Sequence, residues 1–394
     1  MHDIVFDQPI PVMFKEDLER QVFYISERIA DFDLIMSEGG IAGLRVDLDD
    51  HHSTLDEVAN DVHAAAKTYL HRHPKLAAHF IWRNRGDRNY RARAFEELTF
   101  HGGAFQTSRG LVALGEKEMA VMDFIDRSIT RIVKKCFAAR EYRYPTLIPL
   151  AVLSRGGYLR SFPHLLMFAA RLHSDHQAYH ALMQQGGLDP ELMRSLANVE
   201  LCLPPTMCYH TYQQFADSTC YENPGYVVTA KGKSFRFESK YEKNLERLWD
   251  FTIREVVFLG TSAFVIESRK RLMRETFALM EQFGVAGSCA TANDPFFIED
   301  DEKNNAFAQT LMELKYELRL NVRPQETIAC ASFNLHNDFL GNAFNIRFPD
   351  GGVVRTGCAG FGLERLTFAF LAQYGLDEEH WPKAVREGLE TEKN

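Results

Sequence analysis

The strongest constraint on the fold lies beyond residue 227, where the sequence breaks into short apolar or alternating runs separated by polar turns. These runs are 227–230, 234–237, 253–260, 327–333 and 342–348. Alternation with a period of two marks a strand. One long amphipathic run, about 262 to 283, interrupts them with helical spacing and stops at Gly284. The segment 362–374 reads as a helix after a glycine-rich turn. Strands joined by long connections speak against a regular βαβ alternation. They predict an antiparallel sheet flanked by helices, an α+β fold.

Upstream, residues 116–139 place Met122, Ile125, Ile129, Ile132 and Val133 at helical spacing after the breaker Gly115. An extended, proline-punctuated stretch from Tyr144 to Pro149 follows. Residues 162–182 read as a further helix containing His164, His173, His176 and His180. No cysteine or glutamate joins them in a zinc spacing, so the plainer reading is preferred to a metal site. Residues 1–115 read as mixed α/β. The run 41–48 alternates like a strand, and 54–69 reads as a helix with Thr54 and Glu57 spaced as a capping box. Arg83, Arg85, Arg88, Arg91 and Arg93 cluster near Trp82 and Tyr90. They form either a solvated turn or a dock for an acidic partner. The chain thus divides into an N-terminal α/β extension, 1–115, and a main domain, 116–394.

With 45% hydrophobic residues, 30 Phe and 14 Tyr, the 394 residues can bury a sizeable core, which excludes a disordered chain. The formal net charge of −9 weakens the case for a polyanion such as tRNA as the main substrate. The start carries Asp3 and Asp7 and lacks a basic segment followed by an apolar one, so no secretory signal is expected. No run approaches the length of a membrane span. Seven cysteines without a disulfide spacing fit a reducing cytoplasm, leaving thiols free as metal ligands or buried hydrophobes.

Two segments carry chemistry. In the first, Phe235-Arg236-Phe237-Glu238 is followed by a polar loop, Arg247, Phe251 and Glu255. A strand arginine can hold a phosphate and a carboxylate with its planar fork, and a phenylalanine on the same face can stack on a base. A hairpin with ordinary cross-strand charge pairs is the competing reading. In the second, glycines at 357, 360 and 362 precede a helix whose first turn holds Arg365. A cation there opposes the helix dipole unless an anion is near. Ser332, Asn334 and His336 alternate with Phe333 and Leu335 and can share a face.

Together these segments resemble motifs 2 and 3 of class II aminoacyl-tRNA synthetases, and the 116–139 helix running into Pro145 and Pro149 resembles motif 1. The chain is most similar to the amino acid:carrier protein ligases, relatives of the atypical zinc-containing seryl-tRNA synthetases. Tyr158–Pro163, Cys208-Tyr209, Ser332–His336 and Thr356-Gly357-Cys358 also carry this resemblance, which spans about 142 to 375. It implies a class II synthetase-like sheet and a role for each matching residue. Arg236 would hold the α-phosphate and the amino acid carboxylate, and Glu238 would sit near the adenine amino group. Arg247 would lie over the triphosphate, Phe251 would stack on adenine, and Arg365 would hold the γ-phosphate. Cys208, Glu255 and Cys358 would bind Zn²⁺ and leave one position for the substrate amine; Cys202 and Cys220 match less well. Ser332 and Asn334, like Glu255, would contact the substrate. Asn345 stands where glycine-activating relatives carry glycine, which bears on the side-chain pocket.

The implied reaction is ATP- and Mg²⁺-dependent activation of a small amino acid as its adenylate. Transfer to the phosphopantetheine thiol of an acyl carrier protein follows, in a homodimer. The alternatives are a seryl-type tRNA synthetase and a non-catalytic synthetase-like subunit. The second should have lost Arg236, Phe251 or Arg365, and all three are present.

Overall fold

The computed structural model describes residues 1–26, 28–49, 55–70, 78–85, 90–91, 93–172, 180, 183–184, 196–197, 200–292 and 313–393. The first 70 residues build a unit with its own core. Strands β1 (His2–Ile10), β2 (Ile29–Ser37) and β3 (Gly40–Leu48) pair antiparallel in the order β1-β3-β2. Period two decides their faces. Ile4, Phe6, Leu44 and Val46 are buried, while Asp3 and Arg45 form an exposed cross-strand ion pair. Helices Lys15–Ile25 and Leu55–Leu70 contribute Leu18, Val22, Val58 and Val62 to the same core. Thr54, expected to cap the second helix, lies outside the described residues.

Next come β4 (Phe80–Asn84), the hairpin β5 (Ala104–Ser108) with β6 (Leu111–Leu114), and β7 (Arg140–Tyr142). Short strands β8 (Ile148–Pro149), β9 (Met167–Phe168), β10 (Arg171–Leu172), β11 (Leu196–Ala197) and β12 (Leu201–Leu203) lead to longer ones. These are β13 (Gly225–Phe235), β14 (Asp250–Gly260), β15 (Gly287–Thr291), β16 (Lys315–Arg323), β17 (Glu326–Asn337) and β18 (Arg355–Gly362). One eight-stranded sheet runs in the order β4-β15-β16-β17-β18-β14-β13-β7. Its pairings are antiparallel except β13 with β7.

Helices Glu116–Phe137, Ser262–Gln282 and Leu363–Tyr374 cover one face of this sheet. The first places Glu116 and Glu118 in its opening turn and Lys134 and Lys135 in its last, as the helix dipole favours. Its Val121, Phe124, Ile125, Ile129 and Val133 share a core with Val256, Phe258 and Phe361. Each such side chain contributes about 1.5–3 kcal/mol on burial. A second core on the other face contains Tyr212, Val257, Leu259, Phe344 and Cys358. Alternation along β14 therefore sends Arg254, Val256 and Phe258 toward the helices and Glu255, Val257 and Leu259 away from them. Arg254 grips Asp126 of the first helix through two bonds of 2.7 and 2.9 Å.

The α+β class, the main strands and the three long helices agree with the sequence expectations, but several details change. The boundary expected at 115 falls inside the core of the larger unit. There β4 pairs with β15, and Phe95, Leu98 and Ala104 join the cluster around Phe258. Residues 163–172 form a 3-10 turn, Pro163–Leu165, and two-residue strands rather than a helix. The expected strand 342–348 is the end of a short helix, Phe339–Ala343, followed by irregular chain. Strand β13 stops at Phe235, so Arg236 lies just beyond it. Of the clustered histidines, His173 and His176 lie outside the described residues, as does Arg88; Arg83, Arg85, Arg91 and Arg93 are exposed.

Candidate active site

A cavity of about 1220 Å³, including its open mouth, lies against the sheet on the face away from the three long helices. Nine of the ten expected site residues line it: Cys208, Arg236, Glu238, Phe251, Glu255, Ser332, Asn334, Cys358 and Arg365. Arg247 reaches it indirectly, donating to Glu238 Oε2 at 2.7 Å.

At one end three buried groups converge. Cys208 opens the Cys208–Gln214 helix, Glu255 lies on β14 and Cys358 on β18. One donor atom from each lies within 4.8 Å of the others. Register explains the meeting, because Val257 pairs with Cys358 and Glu255 with Gly360, so Glu255 and Cys358 are diagonal neighbours on one face. A Cβ at Gly360 would lie 2.9 Å from Ile253 Cδ1 and 3.5 Å from Glu255 Oε2, so glycine keeps this space open. Thr206 donates to Glu255 Oε2 at 3.0 Å and lies 3.6 Å from Cys208 Sγ. Asn334 Nδ2 donates to Cys358 Sγ at 3.5 Å.

Burial pushes the Glu255 carboxyl up to about 7, against the opposing hydrogen bonds of Cys358 and Thr206. Hydrogen bonding with Cys208, then burial and the Glu255 charge, hold the Cys358 thiol well above its ordinary range. A bound cation would displace these protons. Two thiolates and one carboxylate are a zinc-type donor set that leaves one position open. Cys202 instead donates to Ile148 O at 3.4 Å, and neither it nor Cys220 lines the cavity.

At the other end guanidinium groups gather. Arg236 donates to Pro205 O at 3.0 Å, and its Cζ lies 5.4 Å from the centre of the Phe251 ring. Arg365, in the first turn of the Leu363–Tyr374 helix, donates to Glu246 O at 2.6 Å and Ala329 O at 3.0 Å. Burial and then the nearby Arg247 charge pull its guanidinium down to about 10, so it remains cationic at neutral pH. Burial pushes Glu238 up, but the charges of Arg247 and Arg236 outweigh it and hold the carboxylate below its ordinary range. Three cations around one carboxylate leave an excess positive charge in a partly dry site, which suits a polyphosphate.

No protein-family model matches the chain. Over 248 residues it is 33% identical to amino acid–(acyl-carrier-protein) ligase 1 of Bradyrhizobium diazoefficiens, covering 63% of this chain and 75% of that protein. The chain belongs to the amino acid–(acyl-carrier-protein) ligase family. A second such ligase from the same organism is 32% identical, with 63% of this chain and 73% of that protein covered. The type-2 serine–tRNA ligase of Methanococcus aeolicus is 28% identical over 63% of this chain and 50% of that protein. Among solved structures, M. kandleri seryl-tRNA synthetase in complex with A. aeolicus tRNASec superposes with a TM-score of 0.71 at 21% identity. That match covers 94% of this chain and 75% of the other, and it shows a shared class II synthetase fold.

For this member of the ligase family, some cavity residues escaped sequence reasoning. Thr206 had only its place two residues before Cys208 to mark it. Lys315 and Glu317 lie on β16, whose only signal in the sequence is the alternation of Lys315, Glu317 and Arg319 with Tyr316, Leu318 and Leu320. Glu364 is buried and accepts the Thr252 backbone N–H at 2.8 Å. Asn345, expected to bear on the substrate pocket, is absent from the cavity lining and donates to Asp217 Oδ1 at 3.2 Å. Gly156 and Tyr209 contribute to the wall instead; a Cβ at Gly156 would lie 2.2 Å from Tyr209 Cε1.

Proposed function

We propose that the chain activates a small amino acid with ATP and transfers it to the phosphopantetheine thiol of an acyl carrier protein. The observation that carries this reading is one cavity with a cation-type donor set at one end and clustered arginines at the other, in a chain of this ligase family. The amino acid carboxylate attacks the α-phosphorus of ATP and pyrophosphate leaves. The thiol sulfur then attacks the carbonyl carbon of the adenylate and AMP leaves. Arg236 neutralises the attacking carboxylate and the α-phosphate, Arg365 holds the terminal phosphate, and Phe251 stacks on the base. Glu238 and Arg247 exchange their mutual bond for contacts with the nucleotide, which enters with Mg²⁺. Ser332 and Asn334 contact the amino acid. Cys208, Glu255 and Cys358 hold Zn²⁺, which when bound supplies a Lewis-acid position for the α-amine. Positioning and charge suffice for these displacements, without a protein nucleophile.

The acceptor separates the carrier protein from tRNA. Residues 1–70 contain 15 acidic and 5 basic side chains, a net of −10 against −9 for the whole chain. Such a unit is a poor surface for a long polyanion such as tRNA, and an acidic carrier protein would meet the exposed Arg83, Arg85, Arg91 and Arg93 instead. We also assign residues 1–70 as a separate unit, the remainder as the catalytic unit, and a homodimer as the working form. Among the described residues, no helix is long and apolar enough to cross a membrane.

The test is amino-acid-dependent ATP–pyrophosphate exchange on zinc-loaded protein, followed by transfer of radiolabelled amino acid to a phosphopantetheinylated carrier protein or to tRNA. Exchange with one or two small amino acids and label on the carrier protein is the expected result. Label on tRNA alone would favour the synthetase reading. No exchange by folded, metal-loaded protein would overturn activation itself.

A further inference from the structure

A buried histidine of the cavity wall has no part in the reaction as described. His336 lies on β17, two residues beyond Asn334 on the same face, and is 7% exposed. Its Nε2 is 3.6 Å from Cys358 Sγ. Its Nδ1 is 3.2 Å from the Tyr212 hydroxyl and 3.3 Å from the Thr356 hydroxyl. These partners come from the elements that carry the thiols. Tyr212 is one turn beyond Cys208 on its helix, and Thr356 precedes Cys358 by two residues on β18. His336 is outside the three-residue donor cluster itself.

Hydrogen-bond chemistry decides the orientation of this chain of contacts. The Nε2 edge faces a sulfur and the Nδ1 edge faces two hydroxyls, and a neutral imidazole has a single N–H to share between these two edges. A metal-bound thiolate only accepts hydrogen bonds, whereas either hydroxyl can donate. One arrangement serves both sides: Nδ1 accepts from Tyr212 or Thr356, and Nε2–H donates to the Cys358 sulfur. Asn334 Nδ2 supplies a second donor to that sulfur. Two thiolates and a carboxylate around a divalent cation sum to one negative charge in a buried place, and N–H donors aimed at a sulfur offset it.

We propose that His336 is a positioning and tuning residue for the metal centre, its tautomer set by Tyr212 and Thr356 and its Nε2–H directed at Cys358. The inference rests on the metal reading above. Holding the sulfur from outside aligns it toward Cys208 and Glu255. It also withdraws electron density from the thiolate, leaving the metal a stronger Lewis acid toward the fourth ligand. The histidine thereby links the Cys208 helix to β18 through a path other than the metal.

The experiment is zinc affinity by chelator competition together with the sulfur-to-cobalt charge-transfer band of the Co²⁺-substituted full chain. In H336L the zinc dissociation constant should rise about 10–100-fold, and the band should move to lower energy as the sulfur becomes more electron-rich. H336Q, which retains an N–H donor, should recover most of both. Y212F combined with T356V keeps the imidazole and removes what sets its tautomer, and should move the band in the same direction. This double variant decides the matter if circular dichroism shows H336L unfolded. Wild-type affinity and an unmoved band in the folded variants would overturn the proposal. So would a ligand-field spectrum showing that H336L has lost a metal-bound nitrogen, which would make His336 a direct ligand. A wild-type chain that takes up neither Zn²⁺ nor Co²⁺ would remove the metal reading first, and the tuning role with it.

Discussion

The two ends of the cavity are unfinished in opposite senses. At the sulfur end, burial raises Glu255 to about 7, and hydrogen bonding with Cys208 together with burial holds the Cys358 thiol high, so protons sit on groups that would have to lose them to take a cation. At the arginine end, burial works against charges that persist, because a guanidinium cannot shed its proton near neutrality. One end therefore gains by taking a cation and the other by taking an anion. Their supports differ as well. Glu255 stands on β14, Cys358 on β18 and Cys208 at the start of a helix, while Arg236, Glu238 and Arg247 lie on the connection between β13 and β14. The N-terminal unit braces that connection: the Tyr24 hydroxyl donates to Phe237 O at 3.1 Å, and Lys240 Nζ donates to Ile29 O at 2.9 Å. A rigid frame suits a metal, which demands fixed geometry. A braced loop suits a nucleotide, which must enter and leave.

The largest effect should come from removing a ligand at the sulfur end. Loss of outer partners already weakens metal sites about 10–100-fold, so Cys358→Ala should weaken zinc binding by more than about 100-fold and abolish pyrophosphate exchange. ATP binding at the arginine end should survive, as measured by calorimetry. Next, Arg236→Ala should lower the exchange rate about 10²–10³-fold, the cost of removing one preorganised stabiliser of developing charge. Its zinc content by atomic absorption should equal that of the parent. If either variant damages both ends, the ends are not independent.

The pH response should separate them further. In the metal-free protein, Glu255 is raised from about 4.5 to about 7, so the folded state holds its proton more tightly than the unfolded chain. Stability from this group is complete below about 4.5 and is lost as pH rises through 7. Chemical denaturation should show that slope, and Glu255→Gln should flatten it. Zinc affinity should run the other way, rising with pH as ligand protons leave. The smallest effect is expected outside the cavity. Reversing the exposed Arg83, Arg85, Arg91 and Arg93 should raise KM for a carrier protein several-fold while leaving exchange unchanged. Unaltered transfer kinetics would remove that patch as a dock.

Much of the scaffold was legible because it obeys simple periods. The strands β13, β14 and β17 contain short apolar or alternating runs, and the helices at 116 and 262 repeat their apolar residues at helical spacing, so local pattern announces these elements even where, as in β14, both faces are buried. Where the chain departs from a period, reading failed. Phe344 and Ile346 are both fully buried around an exposed Asn345, which mimics a strand, but Asn345 is left-handed at φ 51°. Likewise β4 gave no local hint that it joins the larger sheet, because its partners, β15 in the sheet and Phe277 under the Trp82 ring, lie some two hundred positions later.

The candidate site divides along the same line. Residue types and their order, together with family resemblance, singled out Cys208, Glu255, Cys358, Arg236 and Arg365. Separations of 47 and 103 positions between the three donors carry no geometric information by themselves. Sheet register set Glu255 beside Cys358, the packed Cys208–Gln214 helix brought the third donor within 4.8 Å, and burial raised the Glu255 carboxyl to about 7. Thr206 and the roles of Tyr212 and His336 emerged only there, since a hydrogen bond between distant segments leaves no pattern in a linear sequence. Periodicity is a property of neighbours along the chain; coordination and protonation belong to neighbours in space.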